Sequence, residues 1–330
     1  MICAQTFTIP ITTSNTSENN RLRVISGSAN VQLSEEVARY LGVELTPIIR
    51  KQFADGEIYI QVLNSIRGCD VYLIQPTCHP VNDCLMELMI MIDACRRASA
   101  RQITAVLPYS GYARADRKTS GRESITAKLI ANLITTAGAD RVLAMDLHSA
   151  QVQGFFDIPL DHIHSTPVLL SYLQSKQLSD VVVVSPDIGG VARARAFAKK
   201  FNDAPLAIVD KRRTAHNCAE VMNVIGDVKG KTAILVDDMI DTAGTITEAA
   251  KILRQEGARQ IFACATHAVF SPPAIERLSS GCLEEVIVTN TIPTPENKRF
   301  PQLTVVSVAN FFGEAILRLH QESSISTMFS

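Results

Sequence analysis

The chain has no excess of charge of either sign and no long apolar run. Its 330 residues carry 32 Lys and Arg against 33 Asp and Glu, a formal net charge of -1. A strongly basic surface gathers nucleic acid or binds an anionic membrane, so neither partner is expected here. The purest apolar run, Val181 to Val184, is far shorter than the roughly 18 residues that cross a bilayer.

Signals of export, of disulfide bonding and of zinc binding are also lacking. The first twenty residues contain no Lys or Arg, which signal and transit peptides carry. The eight cysteines form no CxxC pair, which favours reduced core thiols. His162 and His164 form an HxH pair without a partner cluster, so a structural zinc site is not expected. These features favour a cytoplasmic protein whose Ser-, Thr- and Asn-rich residues 1–20 form a disordered arm.

Short β-branched runs alternate with helical patterns from Leu22 onward. The runs are too short for helices and end in turn residues, which is typical of strands. Strands that alternate with helices along the whole chain predict an α/β fold, with parallel sheets covered on both faces. The polar and apolar alternation over residues 52–64 predicts a hairpin or flap in the first half.

Two patterns of the first half recur in the second half. PYSGYARA at 108–115 resembles PDIGGVARA at 186–194, and the apolar segments 142–146 and 234–238 both end in Asp. This repetition suggests an internal duplication with a boundary between 160 and 168. We therefore expect an arm, a first domain and a second domain at residues 1–20, 21–164 and 165–330.

The strongest chemical signal is the segment TAILVDDMIDTAGT at residues 232–245. Its apolar strand delivers Asp237 and Asp238 to the C-terminal end, where open α/β sheets bind ligands. Small residues at a helix start let backbone N–H groups close on an anion. We expect phosphate in the following loop, with the Asp pair accepting hydrogen bonds from sugar hydroxyls. The loop residues are Asp241, Thr242, Ala243, Gly244 and Thr245.

A basic segment, Asp210-Lys211-Arg212-Arg213, follows another apolar strand and opens a stretch without clear periodicity. Three cations in such a loop suit a lid that closes on a polyphosphate and stabilises charge in the transition state. On the residues alone, a solvated basic turn remains the alternative.

Two further strand ends carry groups that suit a metal. His148 and Asp187 each follow an apolar strand. A neutral imidazole and a carboxylate are compatible with Mg²⁺ bound mainly through water and phosphate oxygens. On the residues alone, a structural role for His148 is favoured.

The turn Phe53-Ala54-Asp55-Gly56-Glu57 offers an aromatic face for a purine ring and acids that accept from an exocyclic amine. As a bare sequence it is an ordinary turn. Arg114 can stack on adenine or pair with phosphate. It begins a basic loop, residues 114–122, that is either a binding loop or a solvated face.

Taken together, six ordered stretches resemble the ribose-phosphate pyrophosphokinase family, also called phosphoribosyl pyrophosphate synthetases, of the bacterial class I type. The resemblance covers roughly residues 21 to 326, and six motifs in order are more specific than any one. They are FADGEIYIQVLNSIRGCDVYLIQ (53–75), LPYSGYARADRK (107–118), MDLHSAQVQGFFDIPLDH (145–162), SPDIGG (185–190), DKRR (210–213) and VDDMIDTAGT (236–245).

The resemblance implies two tandem type I phosphoribosyltransferase-like domains and a reaction of ATP with ribose 5-phosphate that yields phosphoribosyl pyrophosphate and AMP. It implies Mg²⁺ as the cofactor, with His148 and Asp187 in the metal site and Lys211 and Arg213 as catalytic residues. The implied ATP-binding residues are Phe53, Asp55, Gly56, Glu57, Arg114 and Ala115. The implied ribose 5-phosphate residues are Arg213, Asp237, Asp238, Asp241, Thr242, Ala243, Gly244 and Thr245.

The sequence departs from the family pattern at one of these positions. Gln usually follows the arginine, whereas this chain has Ala115, which cannot donate a side-chain hydrogen bond. The family further implies a homohexamer, with phosphate and ADP as allosteric effectors at a site to which the basic loop contributes. It also implies that the Phe53 turn reaches the active site of a neighbouring subunit.

Three other functions fit parts of the sequence. A phosphoribosyltransferase that consumes the same product usually needs only one such domain. A non-catalytic regulatory homologue is disfavoured by the intact Lys211, Arg213, His148 and Asp187. A transcription regulator is disfavoured because the twenty-residue arm is too short for a helix-turn-helix module.

Overall fold

The computed structural model describes residues 21–212 and 221–328. Two compact units make up this part of the chain. The N-terminal unit contains residues 21–164 and 307–328, and the C-terminal unit contains residues 165–306.

The elements follow one another as the alternation of the sequence predicts. In the first half they are β1 (Leu22–Ser26), α1 (Val31–Leu41), β2 (Ile48–Gln52), β3 (Ile58–Val62), β4 (Asp70–Ile74), α2 (Val81–Arg97), β5 (Gln102–Leu107), α3 (Thr126–Ala137), β6 (Arg141–Met145) and β7 (Leu160–Ile163). In the second half they are α4 (Thr166–Ser175), β8 (Val181–Ser185), α5 (Val191–Lys200), β9 (Leu206–Arg212), β10 (Val221–Ile225), β11 (Thr232–Ile240), α6 (Gly244–Gln255), β12 (Gln260–Ala268), α7 (Ala274–Leu278), β13 (Glu285–Thr289), β14 (Leu303–Val306) and α8 (Ala309–His320). Short 3₁₀ turns lie at Ala150–Phe155, Glu296–Lys298 and Ser326–Met328.

The N-terminal unit is built on a parallel sheet with the strand order β1-β4-β5-β6-β7. Every residue of β4 is buried, as expected for a central strand covered on both faces. The strands β2 and β3 form a separate antiparallel hairpin, in which Gln52 lies opposite Ile58. The hairpin expected over residues 52–64 is therefore present, and its first strand begins earlier, at Ile48.

The C-terminal unit is built on a larger sheet with the order β10-β9-β8-β11-β12-β13-β14. All neighbouring strands are parallel except β10, which runs antiparallel to β9. Val182 and Val184 belong to one core cluster, whereas Val183 belongs to another. Because successive side chains of a strand point to opposite faces, this alternation shows that both faces of the sheet are covered. The expected α/β class is confirmed.

The C-terminal segment departs from the expected arrangement. The second domain was expected to run from 165 to 330, yet residues 307–328 join the N-terminal unit. The helix α8 packs on α1, where the Tyr40 hydroxyl donates to Glu314 Oε2 at 2.9 Å. Phe312 and Ile316 are fully buried there. Contacts between residues so far apart in sequence leave no local signal in the pattern.

None of the helices within residues 21–212 and 221–328 has the length and apolarity that a bilayer crossing needs.

Candidate active site

Two adjacent carboxylates lie near the C-terminal end of β11, and a single arginine contacts both. Arg193 of α5 places Nη1 2.9 Å from Oδ1 of Asp237 and 3.0 Å from Oδ1 of Asp238. The Asp238 backbone N–H also donates to Asp237 Oδ1, at 2.8 Å. The Asp238 side chain is 3% exposed and that of Asp237 is 18% exposed. Asp237 is thus the member of the pair that a ligand reaches more easily.

The environment of the pair disfavours two full negative charges. Burial raises the pKa of Asp237 to about 8, and the charge of Asp238 adds to the rise. The Arg193 guanidinium opposes this rise of the pKa. A ligand that donates hydrogen bonds to the two carboxylates offsets the unfavourable free energy of their burial and mutual repulsion. The site therefore suits a neutral group with hydroxyls.

The loop after β11 has the geometry of an anion site. Ala243 has a left-handed conformation, with φ of 60°, and ends the loop where α6 begins. Ala243, the residue before α6, has no side-chain oxygen to cap the helix, and a helix start with unpaired N–H groups suits an anion. Thr247 Oγ1 donates to Ala243 O at 2.8 Å, and Arg277 Nη1 donates to Thr242 O at 2.9 Å. The first bond attaches the loop to α6, and the second attaches it to α7.

The basic segment of the C-terminal unit is only partly described. The strand β9 continues into the basic segment as far as Arg212, and Lys211 lies opposite Met222 of β10. Arg213 and residues 214–220 lie outside the described residues. The catalytic roles of Lys211 and Arg213 and the lid over a polyphosphate therefore stay predictions.

The predicted metal ligands occupy strand ends, as the sequence indicates. Asp187 follows β8 and is exposed, and its Oδ1 accepts the Gly190 N–H at 2.8 Å. The Ser185 hydroxyl donates to the Asp187 carbonyl at 2.7 Å, which fixes this turn. His148 follows β6 in the N-terminal unit and is also exposed. Both groups are accessible to a hydrated ion.

The predicted adenine turn is the connection between β2 and β3. Phe53 is 53% exposed, and its ring meets that of Tyr59 edge-on with centroids 6.4 Å apart. The turn is closed by backbone bonds from Phe53 N to Glu57 O at 2.8 Å and from Gly56 N to Phe53 O at 2.9 Å. Gly56 has φ of 98°, a conformation that glycine adopts without strain. Asp55 Oδ1 accepts the Glu57 N–H at 3.1 Å.

The other two predicted ATP-binding residues lie between β5 and α3. Arg114 is exposed and Ala115 is half-buried. The Ala115 N–H donates to Tyr112 O at 3.1 Å, and its carbonyl accepts the Ala127 N–H at the same distance. The Ala115 backbone is thus fixed by the turn that begins at Tyr112 and by the start of α3.

Sequence reasoning missed two features of these strand ends. It did not assign Arg193 to the carboxylate pair, although the repeat pattern contains this residue. It also treated the HxH pair as isolated, whereas the structure places one ligand atom each of Asp146, His162 and His164 within 4.8 Å of one another. Asp146 follows β6 and the histidines come from β7 and its end, so only strand pairing brings them together.

Comparison with known families finds two matching models. Residues 22–138 match the N-terminal domain of ribose phosphate pyrophosphokinase. Residues 208–330 match the phosphoribosyl synthetase-associated domain.

Named relatives match over nearly the whole chain. A ribose-phosphate pyrophosphokinase of Nostoc sp. is 74% identical over 329 residues, which is 100% of each protein. One of Synechococcus elongatus is 76% identical over 313 residues, which is 94% of this chain and 95% of the relative. The crystal structure of phosphoribosylpyrophosphate synthetase from Mycobacterium smegmatis is 46% identical, with a TM-score of 0.88, over 92% of this chain and 100% of that one.

Proposed function

The chain belongs to the ribose-phosphate pyrophosphokinase family, and we propose that it binds ribose 5-phosphate at the C-terminal end of β11. The reaction transfers the β,γ-diphosphoryl group of ATP to the anomeric hydroxyl of ribose 5-phosphate and releases AMP. The observation that supports the binding site is the position of the carboxylate pair on the strand whose following loop begins α6.

The two parts of this site suit the two ends of the substrate. Asp237 and Asp238 accept hydrogen bonds from ribose hydroxyls, while Arg193 keeps their oxygens in place. The N–H groups of the loop Asp241, Thr242, Ala243, Gly244 and Thr245 bind the 5-phosphate. A phosphate at a helix start gains from the partial positive charge of the helix dipole.

Transfer then needs charge stabilisation more than covalent chemistry. The anomeric oxygen attacks the β-phosphorus of ATP, and the oxygen of AMP leaves in line. Negative charge shifts onto the phosphoryl oxygens in the transition state, where preorganised cations act. We assign this role to Lys211 and Arg213, and Arg213 also contacts ribose 5-phosphate.

The residues assigned to Mg²⁺ fit its chemistry. The ion keeps several waters and takes phosphate oxygens, so it needs few protein ligands with open surroundings. The exposed carboxylate of Asp187 and the exposed ring of His148 meet this need. His148 and Asp187 would hold the ion, which would neutralise charge on the ATP phosphates.

The N-terminal unit supplies the nucleotide contacts in this proposal. Phe53 stacks on adenine, and the turn residues Asp55, Gly56 and Glu57 accept hydrogen bonds from its amine. Arg114 stacks on the base or pairs with phosphate. The neighbouring Ala115 offers only its backbone.

The proposed assembly and its regulation are inferred from membership of the family. We propose a homohexamer in the cytoplasm, with phosphate and ADP as effectors, in which the Phe53 turn serves the active site of a neighbouring subunit. Allosteric binding involves the basic loop 114–122. The arm 1–20 takes no part in catalysis.

One assay tests the reaction itself. The protein is incubated with ATP, ribose 5-phosphate and Mg²⁺, and the products are identified by ³¹P NMR and nucleotide chromatography. We expect AMP and phosphoribosyl pyrophosphate in equal amounts. Formation of ADP, or no turnover without a nucleobase, would contradict the proposed chemistry.

A further inference from the structure

The HxH pair forms a grouping with Asp146 that resembles a metal site, but the hydrogen bonds of His162 argue against that role. The Leu147 backbone N–H donates to His162 Nε2 at 2.9 Å, which occupies the lone pair of that nitrogen. In the neutral ring, the other nitrogen then carries the proton. This Nδ1 lies 3.3 Å from Gln153 Nε2. The one acceptor nitrogen of the neutral ring is therefore already used by the Leu147 N–H and has no lone pair for a cation.

The bonds from β7 converge on a turn with an unusual backbone. Asp146 has φ of 39°, in the left-handed region that non-glycine residues seldom adopt. Its N–H donates to Ile163 O at 3.0 Å, and its Oδ1 lies 2.9 Å from His164 Nδ1. Together with the bond from Leu147 to His162, these contacts fix two consecutive residues of the turn. The next residue of the chain is His148.

We propose that His162 and His164 are positioning residues, which hold the turn at Asp146 and Leu147 so that His148 meets the metal. The inference rests on the proposed function, since it takes His148 as a ligand of Mg²⁺. This ion demands near-ideal octahedral geometry, so a small shift of one ligand weakens binding. A ligand next to a left-handed residue depends on the contacts that keep that residue in place.

Substitution of the two histidines should affect the Mg²⁺ requirement to different extents. His162 is half-buried and bonds the backbone that leads directly to His148. The side chain of His164 is 48% exposed, and its Nδ1 lies beside a side-chain carboxylate rather than a backbone group. We therefore expect the larger effect at His162.

The test compares acceptor-lacking and acceptor-keeping variants of the full-length protein. His162→Phe keeps a planar ring without an acceptor, whereas His162→Gln places an amide oxygen at similar reach of the Leu147 N–H. Tyr40→Phe, which removes the bond to Glu314 in the same unit, serves as the control for general destabilisation. Two quantities are measured: the Mg²⁺ concentration for half-maximal rate, and hydrogen exchange of the peptide 146–150 without metal or substrate.

We expect His162→Phe to raise the half-maximal Mg²⁺ concentration about tenfold and to speed exchange of this peptide about tenfold. His162→Gln should stay within about twofold of the parent in both measurements. His164→Phe should show a smaller rise, of two- to threefold. Tyr40→Phe should lower the melting temperature without moving the Mg²⁺ requirement. If His162→Phe does not fold, His162→Asn, which is too short to reach the Leu147 N–H, replaces it with the same expectation.

The His148→Ala variant distinguishes a failure of the ligand assignment from a failure of the positioning role. If His148→Ala raises the Mg²⁺ requirement while His162→Phe leaves it unchanged, the ligand assignment stands and the positioning role is refuted. If His148→Ala has no effect on the Mg²⁺ requirement, the ligand assignment fails and the positioning role fails with it. If the His162→Phe variant loses stability but its Mg²⁺ requirement is unchanged, the role of His162 is structural only and the inference is overturned.

Discussion

Replacing Asp237 by Asn should weaken ribose 5-phosphate binding and leave ATP binding within a few-fold. The side chain is 18% exposed, so a ligand hydroxyl can reach it. Asn keeps the shape and one oxygen, so Arg193 and the Asp238 N–H, at 2.9 and 2.8 Å, retain an acceptor. Above about pH 8, where the Asp237 carboxyl is ionised, the change therefore removes mainly the negative charge. A charge-assisted hydrogen bond contributes about 1.5–3 kcal/mol, which corresponds to roughly 10- to 100-fold in Kd.

The same substitution should change how stability depends on pH. Burial raises the pKa of Asp237 from 3.8 to about 8, so the native carboxyl keeps its proton where the unfolded one has lost it. The native state then binds more protons than the unfolded state, and stability from this group falls as pH rises between about 4 and about 8. Asn does not titrate. The melting temperature of the variant relative to the parent should therefore increase across this window and level off above it.

Calorimetry measures the Kd of ribose 5-phosphate in the presence of the inert α,β-methylene analogue of ATP, and thermal melts cover pH 5 to 9. Asp227→Asn is the matched control, because Asp227 is an exposed acid of the same unit that pairs with Lys231 at 2.9 Å. The control should leave both ligands unchanged. Weaker ATP binding with unchanged ribose 5-phosphate binding would show that the ligands are assigned to the wrong loops. A melting difference that does not vary with pH would refute the burial argument.

Three further predictions concern the basic segment, Ala115 and residues 1–20. Lys211→Ala and Arg213→Ala should each lower kcat on the order of 10²–10³ with KM for ATP within a few-fold, because contacts made in the transition state appear in kcat. Arg212→Ala should lower kcat only slightly, since alternate residues of an extended segment point to opposite sides. Equal small effects on the rate of AMP release at all three positions would contradict the proposed catalytic lid. Ala115→Gln should tighten ATP binding by about one neutral hydrogen bond, ~0.5–1.5 kcal/mol, and unchanged or weaker binding by calorimetry would mean that another group already satisfies adenine. Deletion of residues 1–20 should leave turnover and sedimentation nearly unchanged, and a large loss of either would contradict the disordered-arm prediction.

Local sequence patterns were sufficient to predict the strand, the acid pair and the loop that we propose bind ribose 5-phosphate. An apolar strand, two acids and a small-residue loop before a helix lie within the single segment 232–245, so their order along the chain fixes their order in space. The turn that we propose binds adenine is local in the same sense, because β2 and β3 adjoin it on both sides.

Features that depend on long-range pairing could not be predicted in this way. Arg193 meets Asp237 across 44 residues, and Tyr40 meets Glu314 across 274. The short strand β7, with the sequence LDHI, lacks the β-branched run that marks the other strands. Without it the HxH pair has no visible partner, because Asp146 joins it only through the pairing of β6 with β7.

A crystal structure of the protein with ribose 5-phosphate tests the central claim most directly. We predict the sugar hydroxyls within hydrogen-bonding distance of the Asp237 and Asp238 carboxylates, with Arg193 still in contact with both. The 5-phosphate should accept N–H groups of residues 241–245 at the start of α6. A sugar phosphate bound away from the end of β11, or one whose phosphate lies at the acids and whose hydroxyls lie in the loop, would contradict the account.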